Sequence, residues 1–437
     1  MTICTDAFLG LARDESRSLG LPDLPLAIIR HPIGGEALAV IEQRAEDAVA
    51  QVIQGLTGNG RDAAGGRVST AGPALERLTF PSDDAVLEAY HTRRWTDGLP
   101  FVAPTEERVR AMVAGAGRPR SEMIAVVPPR WAEATVENVA VNAVMAGCLP
   151  QYMPVLIAAI EAACDPAFGL YSVQATTHPC AVLMLISGPI IDALGLNFAH
   201  GAFGPGFRAN AALGRAMRLV LMNVGGGIPG QGDQSTHGSP AKFSYCIAEN
   251  EAATPWEPFR VTRGFAASDS TVTVFSGEGP HNINDHVCTS AHTTLTVVAD
   301  TMTTIGHNNA GSVMRGDVLV AFGPEHAHTI ASGRLSKRDV QQFLFERARN
   351  KVGLLKLRAM YKATNWPDWV NPDDDEALCP IVGAPEDIHI VVTGGPGKHS
   401  AFIPTFGTSK SVTRTIEGGG ATGTGRDKRH SSARSEP

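Results

Sequence analysis

The first 57 residues alternate two short apolar strands with two helices, and this alternation limits what the chain can fold into. Thr2-Ile3-Cys4 reads as the end of a buried strand, and residues 6–18 read as a helix. After the Pro22/Pro25 turn, Leu26-Ala27-Ile28-Ile29 reads as a second apolar strand. Gly34-Gly35 breaks the chain before residues 36–55, where Ala, Val, Ile and Glu recur at helical spacing. Strand, helix, strand, helix implies parallel pairing, and a parallel sheet needs both faces and its neighbouring strands covered. A unit this small cannot bury such a sheet alone. Either it packs on the rest of the chain, or another polypeptide completes it.

Residues 58–79 form a Gly/Ala/Arg linker. A second, larger domain is expected over residues 80–416, with helices at 83–90, 109–114, 135–146, 152–163, 209–224 and 336–349. Ser336 and Asp339 suit the N-terminus of the last of these. Strands are expected at 182–187, 271–276, 295–299, 317–322 and 388–393. Residues 417–437 are polar and of low complexity, and disorder is expected there. No internal repeat is visible. The fold class expected is α/β: a partial Rossmann- or flavodoxin-like N-terminal unit plus a larger α/β or α+β domain carrying the active site.

A length of 437 residues accommodates roughly two to three domains. With 43% apolar and 19% charged residues a sizeable core can form. The net charge of −7 carries no basic footprint, which argues against a nucleic-acid partner. The best apolar run, Ala181 to Ile191, is broken by Gly188-Pro189 and falls short of the ~18–20 residues of a membrane helix. MTICTDAF lacks a basic segment followed by an apolar one, so no secretory signal is expected. Seven dispersed cysteines with no CxxC pair fit a reducing cytoplasm.

Residues 197–251 crowd Gly, Asn, His, Ser and acidic residues between core-forming segments, which is how an active-site lining reads. Cys4, beside a helix start, has the placement of a thiol with lowered pKa, although a small core residue reads the same way. His178 and Cys180, two apart before a strand, suit a base–thiol pair, two metal ligands or a plain turn. Gly226 and Gly227, in NVGGGIPGQG, suit an anion nest aided by Arg208 or Arg215, or a helix cap. Asn210, Asp233 and His237 join this polar set. Glu249, near Trp256, is a candidate proton donor if burial raises its pKa. His281, Asp285 and His286, with His292 or His307, form the best candidate set for a divalent transition metal, and ordinary turn chemistry is the alternative. Glu325-His326-Ala327-His328 reads as a polar loop. In Gly394 to Ser400, Lys398 and His399 suit an anionic substrate group.

The text CTDAF at Cys4 to Phe8, followed by LGLPDLPLAIIRHPIGG at Leu19 to Gly35, resembles the C-terminal third of the UGSC-motif (seleno)protein family. The resemblance implies a small α/β domain related to reductase selenoproteins, and thiol or selenol redox chemistry. No UGSC or CGSC motif occurs in this chain. If that motif is used, the resemblance implies that it sits on a second subunit. Three functions are then open. The first is a cytoplasmic, oligomeric thiol- or selenol-dependent reductase or lyase acting on a small C–S or C–N substrate. In it Cys4 is the thiol, His178, His237, Glu249 and His281 are acid/base groups, and Arg208 and Lys398 bind substrate. The second is a metal-dependent lyase or hydrolase using His281 and His286. The third is a non-catalytic scaffold subunit.

Overall fold

The computed structural model describes residues 1–33, 36–57, 77–311, 316–357 and 366–417. Most of the expected linker and of the expected disordered tail lies outside the described residues.

At the N-terminus β1 (Thr2–Thr5) and β2 (Leu26–Ile29) pair in parallel, from Thr2↔Leu26 to Thr5↔Ile29. Helices α1 (Leu9–Ser18) and α2 (Leu38–Thr57) complete the unit. The Gln51 side chain bonds both the N–H and the C=O of Ile28, so α2 satisfies part of the outer edge of β2. Ile3, Leu38, Val49, Ile53 and Leu56 are each more than half exposed, or 70% in the case of Leu38. A two-stranded parallel sheet whose flanking helix α2 leaves most of these apolar side chains in water is not self-sufficient. Trp131 Nε1–H of the larger unit donates to Glu15 at 2.7 Å.

The larger unit opens with α3 (Asp83–Thr92), α4 (Glu106–Ala116) and the hairpin β3 (Met123–Val127)/β4 (Ala132–Thr135). Next come α5 (Val136–Ala146), α6 (Met153–Ala163) and α7 (Leu170–Ala175). Then follow β5 (Ala181–Ser187), α8 (Ile190–Leu194), α9 (Arg208–Asn223), β6 (Cys246–Ala248), α10 (Phe259–Thr262) and β7 (Thr271–Gly277). The chain continues through β8 (His281–Asn284), α11 (Ala291–Thr301), β9 (Val318–Phe322), α12 (Pro324–Ser332) and α13 (Lys337–Arg347). It closes with β10 (Arg349–Lys351), α14 (Val352–Leu355), β11 (Leu378–Pro380), β12 (Ile388–Val392), β13 (His399–Ile403) and β14 (Val412–Thr415).

Two four-stranded sheets, β14-β7-β5-β6 and β8-β13-β9-β12, face each other. Leu183, Leu185, Ile247 and Phe275 of the first meet Leu319, Val391 and Ile403 of the second. The alternate residues of β5, Val182, Met184 and Ile186, point the other way onto α5, α6 and α9. Val318, Val320 and Phe322 of β9 likewise point onto α11, α12 and α13. The period-2 alternation of strands thus builds four layers, helix–sheet–sheet–helix, with both faces of each central strand buried.

The two sheets share one topology. In each, a parallel pair (β5/β6, β9/β12) is joined by a helical crossover, and the next strand (β7, β13) returns antiparallel on the other side. The edge strands are exchanged: β8 follows β7 but joins the second sheet, and β14 follows β13 but joins the first. Equivalent bonds close the two pairs, Glu249 N–H to Ile186 O at 2.9 Å and Thr393 N–H to Phe322 O at 3.0 Å. This internal duplication is absent from the sequence reading, because the halves share a pleat and a topology rather than a repeated text.

Residues 295–299 are helical, within α11, and not a strand. Their β-branched composition suggests a strand, but Ser290 caps the helix by accepting from Thr293 N–H. Ala291, Thr294, Leu295, Val298 and Ala299 then bury one helical face.

Candidate active site

The parallel strands β6, β9 and β12 all end toward one cavity of about 470 Å³, the position where α/β sheets hold ligands. Its wall comprises the first turns of α12, the loop after β12, and segments around His200 and Asn250. Gly323-Pro324 starts α12 immediately after β9, with Pro at a first-turn position where its missing N–H costs nothing. That places Glu325 and His328 on the wall. His328 Nδ1–H donates to Pro324 O at 2.7 Å, which leaves Nε2 as the basic nitrogen of the neutral ring. Asn250 Nδ2–H donates to Gly394 O at 3.2 Å, and Asn250 N–H to Val392 O at 2.7 Å, so the ends of the two parallel pairs are stitched together here. An added Cβ on Gly395 would lie 2.6 Å from the His200 ring, so any larger residue here forces that ring to move. Lys398 supplies the cation, its Nζ also reaching His286 O at 3.3 Å. Lys398 and the helix N-terminus favour an anion, against the Glu325 carboxylate on the same wall, and two imidazoles can move protons.

Of the residues given a site role by sequence, Lys398 lines this cavity, joined by His200 and Asn250 of the polar stretch 197–251 and by Glu325 and His328; the other candidates are placed elsewhere. Cys4 sits within β1, half-buried, and burial raises its thiol pKa while Arg13 lowers it only in part. The expected lowering is therefore corrected. Cys180 is 1% exposed and donates to Val173 O, and burial pushes its pKa up to about 12. His178 does not address it: His178 Nε2 meets Glu278 at 2.8 Å. Burial would raise the Glu278 pKa, but the bond and charge of His178 hold it below the usual range. The pair joins the start of β5 to the end of β7, a polar tie that the sequence reading missed.

The run of glycines after α9 is not an anion nest. Gly225, Gly226 and Gly227 give their N–H groups to Val220, Met222 and Leu221 at 3.2, 3.0 and 2.9 Å. Gly226 takes φ +77°, and a Cβ on Gly227 would strike Gln174, so these glycines serve a helix cap and tight packing. Arg208 caps the carbonyl of Gly147 at 3.1 Å and Arg215 clamps Asp97 at 2.7 and 2.8 Å. Asn210 is buried, binding the backbone of Asn197 and Cys246. Asp233 is buried between Arg218 (2.9 Å) and Lys242 (2.7 Å). His237 is exposed on the following loop.

Glu249 is 1% exposed, and burial holds its carboxyl above the usual range despite bonds from Ser187 Oγ and Phe259 N–H. It closes the β5/β6 end, where Arg260 pairs with Glu251 and donates to Ser187. That filled position is the topological counterpart of the open cavity at β9/β12.

His281, Asp285 and His286 do not converge. His281 begins β8 opposite Phe402, whereas His286 lies beyond the far end of the strand. One Asp285 oxygen is spent on Val287 and Cys288 N–H. His292 stacks edge-on to Phe343 and His307 is buried against Met302 O. Among the described residues, no three His, Cys, Asp or Glu side chains cluster as a metal site. His399 stands outside the cavity, bonded to Asn282 and His286. The buried Asp317, His389 and Ser411 resemble a hydrolytic triad by composition only. His389 presents the same nitrogen, Nε2, to Asp317 (3.0 Å) and to Ser411 (3.1 Å), so no relay through the ring exists.

The UGSC family model matches residues 1–58. The similarity therefore covers the small N-terminal unit and stops before the larger one that holds the cavity. No curated protein and no solved structure matches the chain. Among the described residues, no helix is long and apolar enough to cross a membrane.

Proposed function

We propose that this chain holds a small anionic substrate for a thiol- or selenol-dependent reductase or lyase, with the reacting thiol presented by a second polypeptide. The observation that carries this is the cavity at the ends of β6, β9 and β12, with Lys398, His200 and His328 on its wall. No cysteine is on that wall, and burial raises the pKa of Cys4, Cys148, Cys180 and Cys246. Lys398 neutralises the substrate anion, and His328 Nε2 takes or gives a proton during bond cleavage. Two features support a partner: the UGSC similarity of residues 1–58, and the apolar surface that the two-stranded unit leaves in water. A partner that adds strands would cover it.

Calorimetric titration with malonate, thioglycolate and inorganic phosphate tests the cavity. One saturable site per chain, weakened at least tenfold by Lys398→Ala and untouched by His237→Ala, is expected. Absence of saturable binding, or binding indifferent to Lys398→Ala, would overturn the proposal.

A further inference from the structure

The geometry points to a two-histidine site for a divalent transition metal, formed by His399 at the start of β13 and His286 in the turn just beyond its antiparallel neighbour β8. The two Nε2 atoms lie 3.3 Å apart, with the rings nearly perpendicular at 80°. Metal–imidazole bonds of about 2.0–2.1 Å at a tetrahedral angle require two ligand nitrogens about 3.3–3.4 Å apart. The pair therefore has the separation of two ligands on one ion before any ion arrives.

The surroundings fix that separation. His399 Nδ1–H donates to Asn282 Oδ1 at 3.0 Å, which sets the tautomer and leaves the Nε2 lone pair outward. A partner on the far ring nitrogen is the usual arrangement around a ligating histidine. His286 sits in a turn held from two sides. Asp285 accepts from Val287 and Cys288 N–H at 3.2 and 2.9 Å, and its carbonyl accepts from Nε2 of the buried His326 at 3.0 Å. His326 is fixed in turn through Ser400 Oγ at 2.8 Å, on the same strand as His399. Lys398 Nζ reaches the His286 carbonyl. Both rings are exposed, so the remaining coordination positions open to water or to a small ligand. Imidazole ligation selects zinc, copper, nickel or cobalt over calcium and magnesium. Sequence spacing alone points to His281 as the partner of His286; the register instead sets His399 opposite Asn284, at the end of β8 from which the turn carries His286 back to it.

The site stands independently of the anion cavity. Untagged full-length chain, stripped with chelator, is titrated with zinc chloride by calorimetry, and cobalt chloride is followed by its visible absorption. One ion per chain is expected, weakened at least tenfold by His286→Ala and by His399→Gln. Asn282→Ala should cost about tenfold, through the lost orientation. His237→Ala, at an exposed histidine that belongs to neither site, should leave zinc binding within about twofold. Unchanged melting temperatures of the metal-free variants establish that folding is not the cause. No saturable zinc binding, or binding that survives both histidine changes, would overturn the inference.

Discussion

Replacing Asp317 by Asn tests the four-layer architecture at the point where its parts are tied together. Asp317 precedes β9 and is 5% exposed. One carboxylate oxygen takes His389 Nε2–H of β12 at 3.0 Å, and the N–H and hydroxyl of Ser411, just before β14, at 2.8 and 2.6 Å. The other takes Lys410 Nζ at 2.9 Å. Burial would raise the carboxyl pKa, yet the bonds from His389 and Ser411 and the Lys410 charge hold it far below the usual range. Breaking such a buried pair from one side costs about 3–5 kcal/mol. A unit of this length unfolds with roughly 0.7 kcal/mol/K, so the melting temperature should fall by about 4–7 °C at pH 7.5. The sign of the pH dependence follows from a folded pKa below the unfolded value of about 3.9. The stabilisation is fully present above about pH 5 and is lost as the pH falls toward the folded pKa. Thermal melts of both proteins should therefore differ by a constant amount from pH 7.5 to about 5, and the difference should shrink below about pH 4. A difference under about 1 °C at pH 7.5, or one that grows in acid, would refute the reasoning.

Other perturbations separate structural groups from functional ones. Asp233→Asn strands Arg218 and Lys242 in a buried position and should cost about 3–5 kcal/mol in chemical denaturation, whereas Lys242→Met, which leaves the Arg218 pair intact, should cost no more than about 1 kcal/mol. Native thiol labelling at pH 8 should leave Cys148, Cys180 and Cys246 unmodified, since they are buried with pKa values of about 12, and Cys4 and Cys288 should react first; rapid labelling of Cys180 would contradict its placement. Gly395→Ala forces the His200 ring aside and should weaken malonate binding severalfold at nearly unchanged melting temperature, which calorimetry on the variant would check.

Legibility in the sequence followed the range of the interactions. Helix α13 was readable because its capping box, Ser336 with Asp339, is local. Strand β5 was readable because it is apolar without interruption and buried on both faces. Strand β13, in contrast, starts with His399-Ser400 after a Gly-rich turn and reads as loop. Helix α12 reads as a loop because its first turn, Pro-Glu-His-Ala-His, is polar; Gly323-Pro324 is the signal of a helix start there. The cavity draws on positions near 200, 250, 325 and 398, which only the β9/β12 crossover and its counterpart bring together. The dense polar stretch 197–251 does supply His200 and Asn250, but most of its charged groups prove to be buried ties: Arg215 to Asp97, Arg218 and Lys242 to Asp233, Arg260 to Glu251. Residue identity marks such groups as special without telling pairing from catalysis, since both need polar side chains held away from water.

The most direct test of the proposed function is native mass spectrometry of the complex purified from its own cells under reducing conditions. A second chain in stoichiometric amount, carrying a cysteine or selenocysteine that crosslinks to a thiol-reactive probe bound in the Lys398 cavity, is the result expected. A homo-oligomer or monomer of this chain alone, fully active toward its substrate, would contradict it.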